Sequence, residues 1–424
     1  MDSQTIADIT ARLLKEIAVP GSNLRSLVRH LREREGCSEA EAAELAGSVC
    51  RKLADERLPP ITQLELMVTE DCNHRCHYCF VEGKNVSHRM SRETARQAVD
   101  FLIAQSRKEA ELTLLLFGGE PLLEYDLLRE LLPYAIERAR AAGKKMKFDL
   151  TTNATLLDEE KIRFLVSLGV KILVSLDGDR ETHDRHRLTL DGKSSYDRVQ
   201  NNLPLIKRYQ PWLGSRMTVH PDTVGRLSRN VAHLASLGVN QFIIGAATGL
   251  EWTDESLDLY RDEMIRVASW LKEERSRSGP FRVTTLEENL TMMGGRRGRY
   301  GCRAGRHCVS VTSEGEIYPC SKMLGVSGLK GLYLLGTLRD GFTEIRNRLE
   351  LCGMIGVKRQ VCAVCSEDDL CYGGCYATNF QATGSIFEPS AVECRIKRRT
   401  IEIARAAEKI LGKEFYEKLK KSKL

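Results

Sequence analysis

Three cysteines at the spacing Cys-x3-Cys-x2-Cys stand in the segment Thr69-Glu70-Asp71-Cys72-Asn73-His74-Arg75-Cys76-His77-Tyr78-Cys79-Phe80. A loop of this kind can wrap three corners of a [4Fe–4S] cube through Cys72, Cys76 and Cys79, leaving the fourth iron open. An open iron can be chelated by the amine and carboxylate of a bound substrate. Zinc is the alternative, with His74 or His77 as a fourth ligand, but neither histidine falls at a zinc-finger spacing.

The chain has fourteen cysteines, three at 72–79 and nine at 302–394, while Cys37 and Cys50 stand apart. Such clustering is expected of ligands rather than of scattered core residues. The start, MDSQTIADITARLLKEI, lacks the basic head and apolar core of a secretory signal. No apolar run approaches the ~18 residues of a membrane span. A cytoplasmic protein is expected, and there thiols stay reduced, so metal or catalytic use is the default over disulfides. A net charge of +6 over 424 residues does not point to nucleic acid. Much of the excess lies in 295–306 and in the tail 395–423, the latter read as a solvated helix face.

These residues need elements to hold them. Strands are expected at 63–69, 112–117, 145–152, 170–177, 214–220 and 241–246, mostly apolar. Amphipathic helices are expected between them at 91–108, 124–142, 158–168, 196–209 and 224–237. That alternation implies an α/β fold with a parallel sheet and right-handed crossovers, a barrel or part of one. Such sheets place their chemistry at the carboxyl ends of the strands. Ahead of them, 5–17, 24–35 and a stretch from Ser38 to about Leu58 read as helices, the last opened by a Ser38/Glu41 capping box. Pro59-Pro60 closes this part. A helix around 254–275 follows the strands. Residues 300–395 are rich in Cys, Gly and short turns, as in a fold held by metal. A basic amphipathic helix ends the chain.

The segment Cys72–Cys79, with Tyr78 at its aromatic position, resembles the signature of the radical S-adenosylmethionine (SAM) superfamily, and the similarity extends over about residues 61–250. Phe117-Gly118-Gly119-Glu120-Pro121 is similar to the family's GGEP motif, which contacts SAM's amino group. Thr151-Thr152-Asn153 and Val174-Ser175-Leu176-Asp177-Gly178 end the third and fourth strands, and His183-Asp184-Arg185-His186-Arg187 resembles the relatives' HDxxR. The resemblance implies a partial (β/α)6 TIM-like barrel with SAM on the open iron, beside Tyr78, Gly118, Gly119, Glu120, Asn153, Ser175, Asp177 and Arg187.

The second cysteine set resembles the SPASM extension of radical SAM peptide- and protein-modifying enzymes. It comprises Gly315-Glu316-Ile317-Tyr318-Pro319-Cys320, Cys362-x2-Cys365-x5-Cys371-x3-Cys375 and the more distant Cys394. The resemblance implies two auxiliary [4Fe–4S] clusters, one on Cys302, Cys308, Cys320 and Cys375, the other on Cys362, Cys365, Cys371 and Cys394. Two zinc sites are the alternative, since four thiolates also suit zinc. Cys352 is left over, as a core thiol or a hydrogen-atom donor.

The activity implied is reductive cleavage of SAM to methionine and a 5′-deoxyadenosyl radical, which abstracts hydrogen from a ribosomally synthesised precursor peptide. The outcome would be a crosslink, a thioether or an epimerised residue, with no further catalytic residue assigned. The other enzyme readings are a sulfatase maturase or an enzyme of a small metabolite. Ser321 takes the place of the maturases' proton-accepting Asp and demotes the first of these. A non-catalytic iron–sulfur or zinc protein would need no GGEP turn. Residues 24–58 are similar to the helical half of a leader-recognition domain. A flavodoxin- or ferredoxin-type electron donor is implied, and no membrane or nucleic acid. The expected domains are 1–60 helical, 61–250 barrel, 251–299 linking, 300–395 SPASM and 396–424 a C-terminal helix.

Overall fold

The structure is a computed structural model that describes residues 9, 24–81, 88–277, 279–293, 302–352, 361–367, 370–371, 373–412 and 415. Apart from Ile9, the helix expected at 5–17 lies outside them. Two helices come first, α1 (Leu24–Glu35) and α2 (Glu39–Arg57). The capping box before α2 is formed: Ser38 N–H donates to Glu41 Oε2 at 3.0 Å and Glu41 N–H to Ser38 Oγ at 3.4 Å.

The strands that follow are β1 (Gln63–Met67), β2 (His74–Cys76), β3 (Glu111–Phe117), β4 (Lys145–Thr152), β5 (Val170–Ser175), β6 (Arg187–Thr189), β7 (Gly214–Val219), β8 (Gln241–Ala246) and β9 (Arg282–Val283). The helices between them are α3 (Arg92–Gln105), α4 (Tyr125–Ala141), α5 (Glu159–Ser167), α6 (Arg180–His186), α7 (Tyr196–Tyr209), α8 (Leu227–Ser236) and α9 (Asp254–Arg277). Side-chain caps start several of them: Ser91 accepts from Thr94 N–H, Asp158 from Lys161 N–H and Asp179 from Thr182 N–H. Past β9 come α10 (Thr284–Met293), β10 (Cys308–Val311), β11 (Glu316–Tyr318), α11 (Ser321–Leu324), β12 (Gly336–Thr337), β13 (Gly341–Phe342), α12 (Ile345–Leu351), α13 (Tyr376–Thr383) and α14 (Ala391–Leu411).

β1, β3, β4, β5, β7 and β8 pair in parallel in that order, the six strands expected. The sheet then runs on and stays open. β9 extends it beyond β8, while β10 adds in parallel to β1, followed by antiparallel β11, β12 and β13. The cysteine-rich region is therefore continuous with the barrel sheet.

Alternation along the strands separates two faces. Leu64, Leu66, Leu112, Leu114, Leu116, Phe148, Leu150, Ile172, Val174, Met217, Phe242 and Ile244 are buried under the helices. Each such side chain stabilises the fold by about 1.5–3 kcal/mol. The other row faces the lumen, with Glu65, Thr113, Asp149, Thr151 and Thr218 partly buried and Arg216 exposed.

α1 and α2 form a small core of their own with α12, through Leu31, Ala42, Leu45, Val49 and Leu349. Cys352 packs against it, so it sits apart from the other cysteines of its region. Arg348 locks the junction, donating to the carbonyls of Pro59, Gly305 and Arg306. Burial pushes its guanidinium down to about 10.

α14 corrects the reading of the basic tail. Its Ile396, Ile401, Ile403, Ala404 and Ala407 are buried, and it packs along α9 and α10. Arg399 pairs with Asp258 at 2.7 Å and Arg395 with Asp254 at 3.3 Å, so part of the positive face serves ion pairs with an acidic helix. The helix begins at Ala391 and carries Cys394, which places it across the expected boundary at 395. Among the described residues, no helix is long and apolar enough to cross a membrane.

Candidate active site

Cys72, Cys76 and Cys79 lie on the loop leaving β1, at the carboxyl end of the sheet. None of the three is in a disulfide. His74 N–H points at Cys72 Sγ at 3.4 Å. The antiparallel pair β2–β6 sets Cys76 opposite Arg187, and Cys79 N–H closes a turn on Cys76 O at 3.1 Å.

The GGEP turn presses on this loop. Gly119 N–H donates to Thr69 O at 2.9 Å and Glu120 N–H to Asp71 O at 2.8 Å. A Cβ at Gly118 would lie 2.3 Å from Thr69 O, and one at Gly119 only 2.0 Å from Asp71 O. The glycines thus admit the backbone of the cysteine loop itself.

Glu120 is buried and accepts from Thr152 Oγ1 at 2.7 Å, Asn153 N–H at 2.8 Å and Leu122 N–H at 3.2 Å. Burial raises its carboxyl to about 7, against the pull of those hydrogen bonds. Its first duty in this structure is to clamp the end of β4. Asn153 in turn donates to Asn73 at 2.8 Å, and Asn73 donates to Thr155 at 2.9 Å. This chain ties the cysteine loop to the third barrel strand.

Asp177 is saturated. It accepts from Arg187 Nε at 2.8 Å, Arg187 Nη2 at 3.1 Å, Thr218 N–H at 2.8 Å and Tyr78 Oη. All four of its lone-pair positions are filled. Burial alone would raise this carboxyl, but the charge and hydrogen bonds of Arg187 outweigh it and hold the group below its usual range. Asp177 is therefore placed to orient Arg187 and Tyr78. Ser175 ends β5 beside Arg216.

The second cysteine set separates into two groups. Burial pushes up the Cys302, Cys308 and Cys320 thiols; Cys375 and Glu65 add to it at Cys302, Glu65, Cys320 and Cys302 at Cys308, and Cys302, Glu65 and Cys375 at Cys320. The expected first quartet is thus assembled at the junction of β10, α11 and α13. Cys362, Cys365, Cys371 and Cys394 line a single cavity of about 230 Å³ with Lys397 and Arg398. Tetrahedral zinc would hold thiolates about 3.8 Å apart. Among the described residues no three cysteine sulfurs lie within 4.8 Å of one another.

Two features escaped the sequence reading. Glu65 on β1 accepts from Ser321 N–H at 2.9 Å and lies beside the first quartet. A charged residue amid the apolar neighbours of Gln63–Met67 was the available signal. Asp222 collects Arg185 at 2.5 Å, His186 at 2.9 Å and His220 at 2.5 Å. Both imidazoles present a ring nitrogen to the same oxygen, Asp222 Oδ1, and stack with centroids 3.9 Å apart, so the three side chains form one compact group.

Residues 66–226 match the family model described as the radical SAM superfamily. The fold of the chain is similar to that of SPASM-type radical SAM enzymes. A solved structure described as native anSMEcpe with bound AdoMet and Cp18Cys peptide superposes with a TM-score of 0.68 at 20% identity, over 83% of this chain and 99% of that one. The radical SAM cyclopropyl synthase TigE of Paramaledivibacter caminithermalis is 22% identical over 80% of this chain and 73% of its own. The cysteine-type anaerobic sulfatase-maturating enzyme of Clostridium novyi is 26% identical over 34% of this chain, and the match spans 39% of that enzyme's length.

Proposed function

We propose that this chain is a radical SAM/SPASM maturase that modifies a ribosomally synthesised peptide by crosslinking, thioether formation or epimerisation. The observation that carries the reading is one continuous sheet holding a three-thiol loop at its carboxyl ends, two four-cysteine groups and a polar, accessible lumen. Cys72, Cys76 and Cys79 would hold a [4Fe–4S] cluster with one open iron, and the two quartets would hold auxiliary clusters. When bound, the first cluster supplies the electron that splits SAM's sulfur–carbon bond.

The chain's own residues do the positioning. Gly118, Gly119 and Glu120 brace the cysteine loop against β4. Asp177 holds Arg187 and Tyr78 in place, and these two with Asn153 and Ser175 would supply polar contacts to bound SAM. The lumen walls keep bulk water from the radical. A flavodoxin- or ferredoxin-type donor and a cytoplasmic setting go with this chemistry. The match to a peptide-bound relative supports a peptide as substrate.

A second reading, oxidation of a sulfatase side chain, has one observation in its favour. Glu65 sets a carboxylate against Ser321, where the maturases carry Asp. Mass spectrometry of co-expressed candidate peptides separates the readings. Loss of two hydrogens marks a crosslink, deuterium uptake from heavy water without mass change in ordinary water marks epimerisation, and an aldehyde trapped by hydrazide marks the sulfatase reading. Reconstituted protein that makes no deoxyadenosine from SAM and reductant refutes both.

A further inference from the structure

The lumen holds charges that the sites above do not use. Arg216 on β7 stands in register with Ser175 on β5 and Ile243 on β8. It therefore shares the lumenal row, while its neighbours Ser215 and Met217 are buried on the other face. Its guanidinium lies against the bare face of Gly245, where a Cβ would come 3.5 Å from Nη2. The side chain is open to the lumen and, among the described residues, makes no ion pair or hydrogen bond.

Arg187, the other arginine at this end, is committed to Asp177. Glu288 on α10 is the carboxylate that acts most strongly on Arg216. Burial raises its carboxyl, and Arg303 and then Arg216 pull it back. Arg216 is itself pushed down by burial and by Arg187, while Glu288 acts the other way. Arg303 and Arg216 thus both act on the Glu288 carboxylate, and among the described residues neither is hydrogen-bonded to it. A bidentate anion would satisfy a donor fork of this kind.

We propose that Arg216, flanked by Glu288 and Arg303, binds a carboxylate of the peptide substrate, from an Asp or Glu side chain or the C-terminus, and so selects which residue meets the radical. This inference rests on the peptide-modifying reading.

The test uses the full chain with its clusters reconstituted and SAM bound. An arginine-selective dicarbonyl reagent labels the protein anaerobically, and mass spectrometry follows Arg216. The probes are N-acetyl-aspartate amide and N-acetyl-asparagine amide at millimolar concentration. Severalfold slower labelling with the aspartate probe alone is the expected result, with stronger protection in Glu288→Gln, which removes the competing carboxylate. If SAM alone protects Arg216 completely and neither probe adds to it, the guanidinium serves SAM and the proposal is wrong. Equal labelling under all conditions overturns it as well. Deoxyadenosine formation by the wild-type chain tests the maturase reading separately, so the two can fail independently.

Discussion

Gly119→Ala isolates the contact between the GGEP turn and the cysteine loop. Gly119 is not among the glycines with positive φ, so an alanine there brings no backbone strain, only a methyl group. That methyl would stand 2.0 Å from Asp71 O and 2.7 Å from Glu70 O. A relaxed carbon–oxygen contact needs about 3.2 Å or more, so the loop must retreat by roughly 1 Å. Displacement of that size at a reacting centre costs on the order of 100-fold in rate. The assay is deoxyadenosine formation from SAM and dithionite, with the cluster's electron paramagnetic resonance signal recorded before and after SAM. The expected result is retained iron, a weakened response to SAM and about a 100-fold slower turnover. Gly143→Ala is the control. Its φ is +68° and nothing lies within 4 Å of the added methyl, so it costs only about 1 kcal/mol of stability and leaves turnover intact. Wild-type SAM cleavage by Gly119→Ala would refute the idea that this turn braces the loop.

Arg187→Met leaves Asp177 buried without its cationic partner, which should lower stability by about 3–5 kcal/mol in urea unfolding, whereas a loss below ~1 kcal/mol would mean the pair is dispensable. Burial lowers the His183 imidazole to about 4, while an unfolded histidine titrates near its ordinary value of 6.5. The unfolded chain therefore binds the proton first as pH falls. Stability present above about 6.5 is lost on the way down to about 4, by up to about 3 kcal/mol. His183→Gln should flatten that acid limb in denaturant titrations, and an unchanged limb contradicts the assignment. Cys308→Ser and Cys365→Ser should each lower iron from about twelve to about eight atoms per chain and spare the SAM-responsive signal, by iron analysis and resonance spectroscopy. Loss of that signal in either would mean that the groups are not separate.

The barrel strands and helices were legible because each is a long periodic run with strong punctuation. β4 runs from Lys145 to Thr152, the bounds expected, and α7 spans Tyr196–Tyr209 as expected. The cysteine groups were legible because ligand spacing survives in one dimension. Reading the strands as mostly apolar hid the lumenal row, since Glu65, Asp149 and Arg216 sit singly among Leu, Phe and Met. That Arg187, Tyr78 and Thr218 claim the oxygens of Asp177 was not legible, because a strand-end position does not reveal which neighbours will reach it. The role of Gly118 and Gly119 depends on a carbonyl some fifty residues away in sequence. The partner of α1 and α2, α12, lies some three hundred residues away in sequence, beyond any local pattern.

The pairing of β10 with β1 carries a practical warning for anyone shortening this chain. Gln63, Leu64, Glu65 and Leu66 find half their ladder on Cys308, Val309, Ser310 and Val311. A fragment that stopped ahead of the cysteine-rich region would lay bare a flat row of amides and carbonyls on its first strand. Such an edge invites a second molecule to dock where β10 belonged, so a trimmed barrel should clump in solution rather than behave as an autonomous unit.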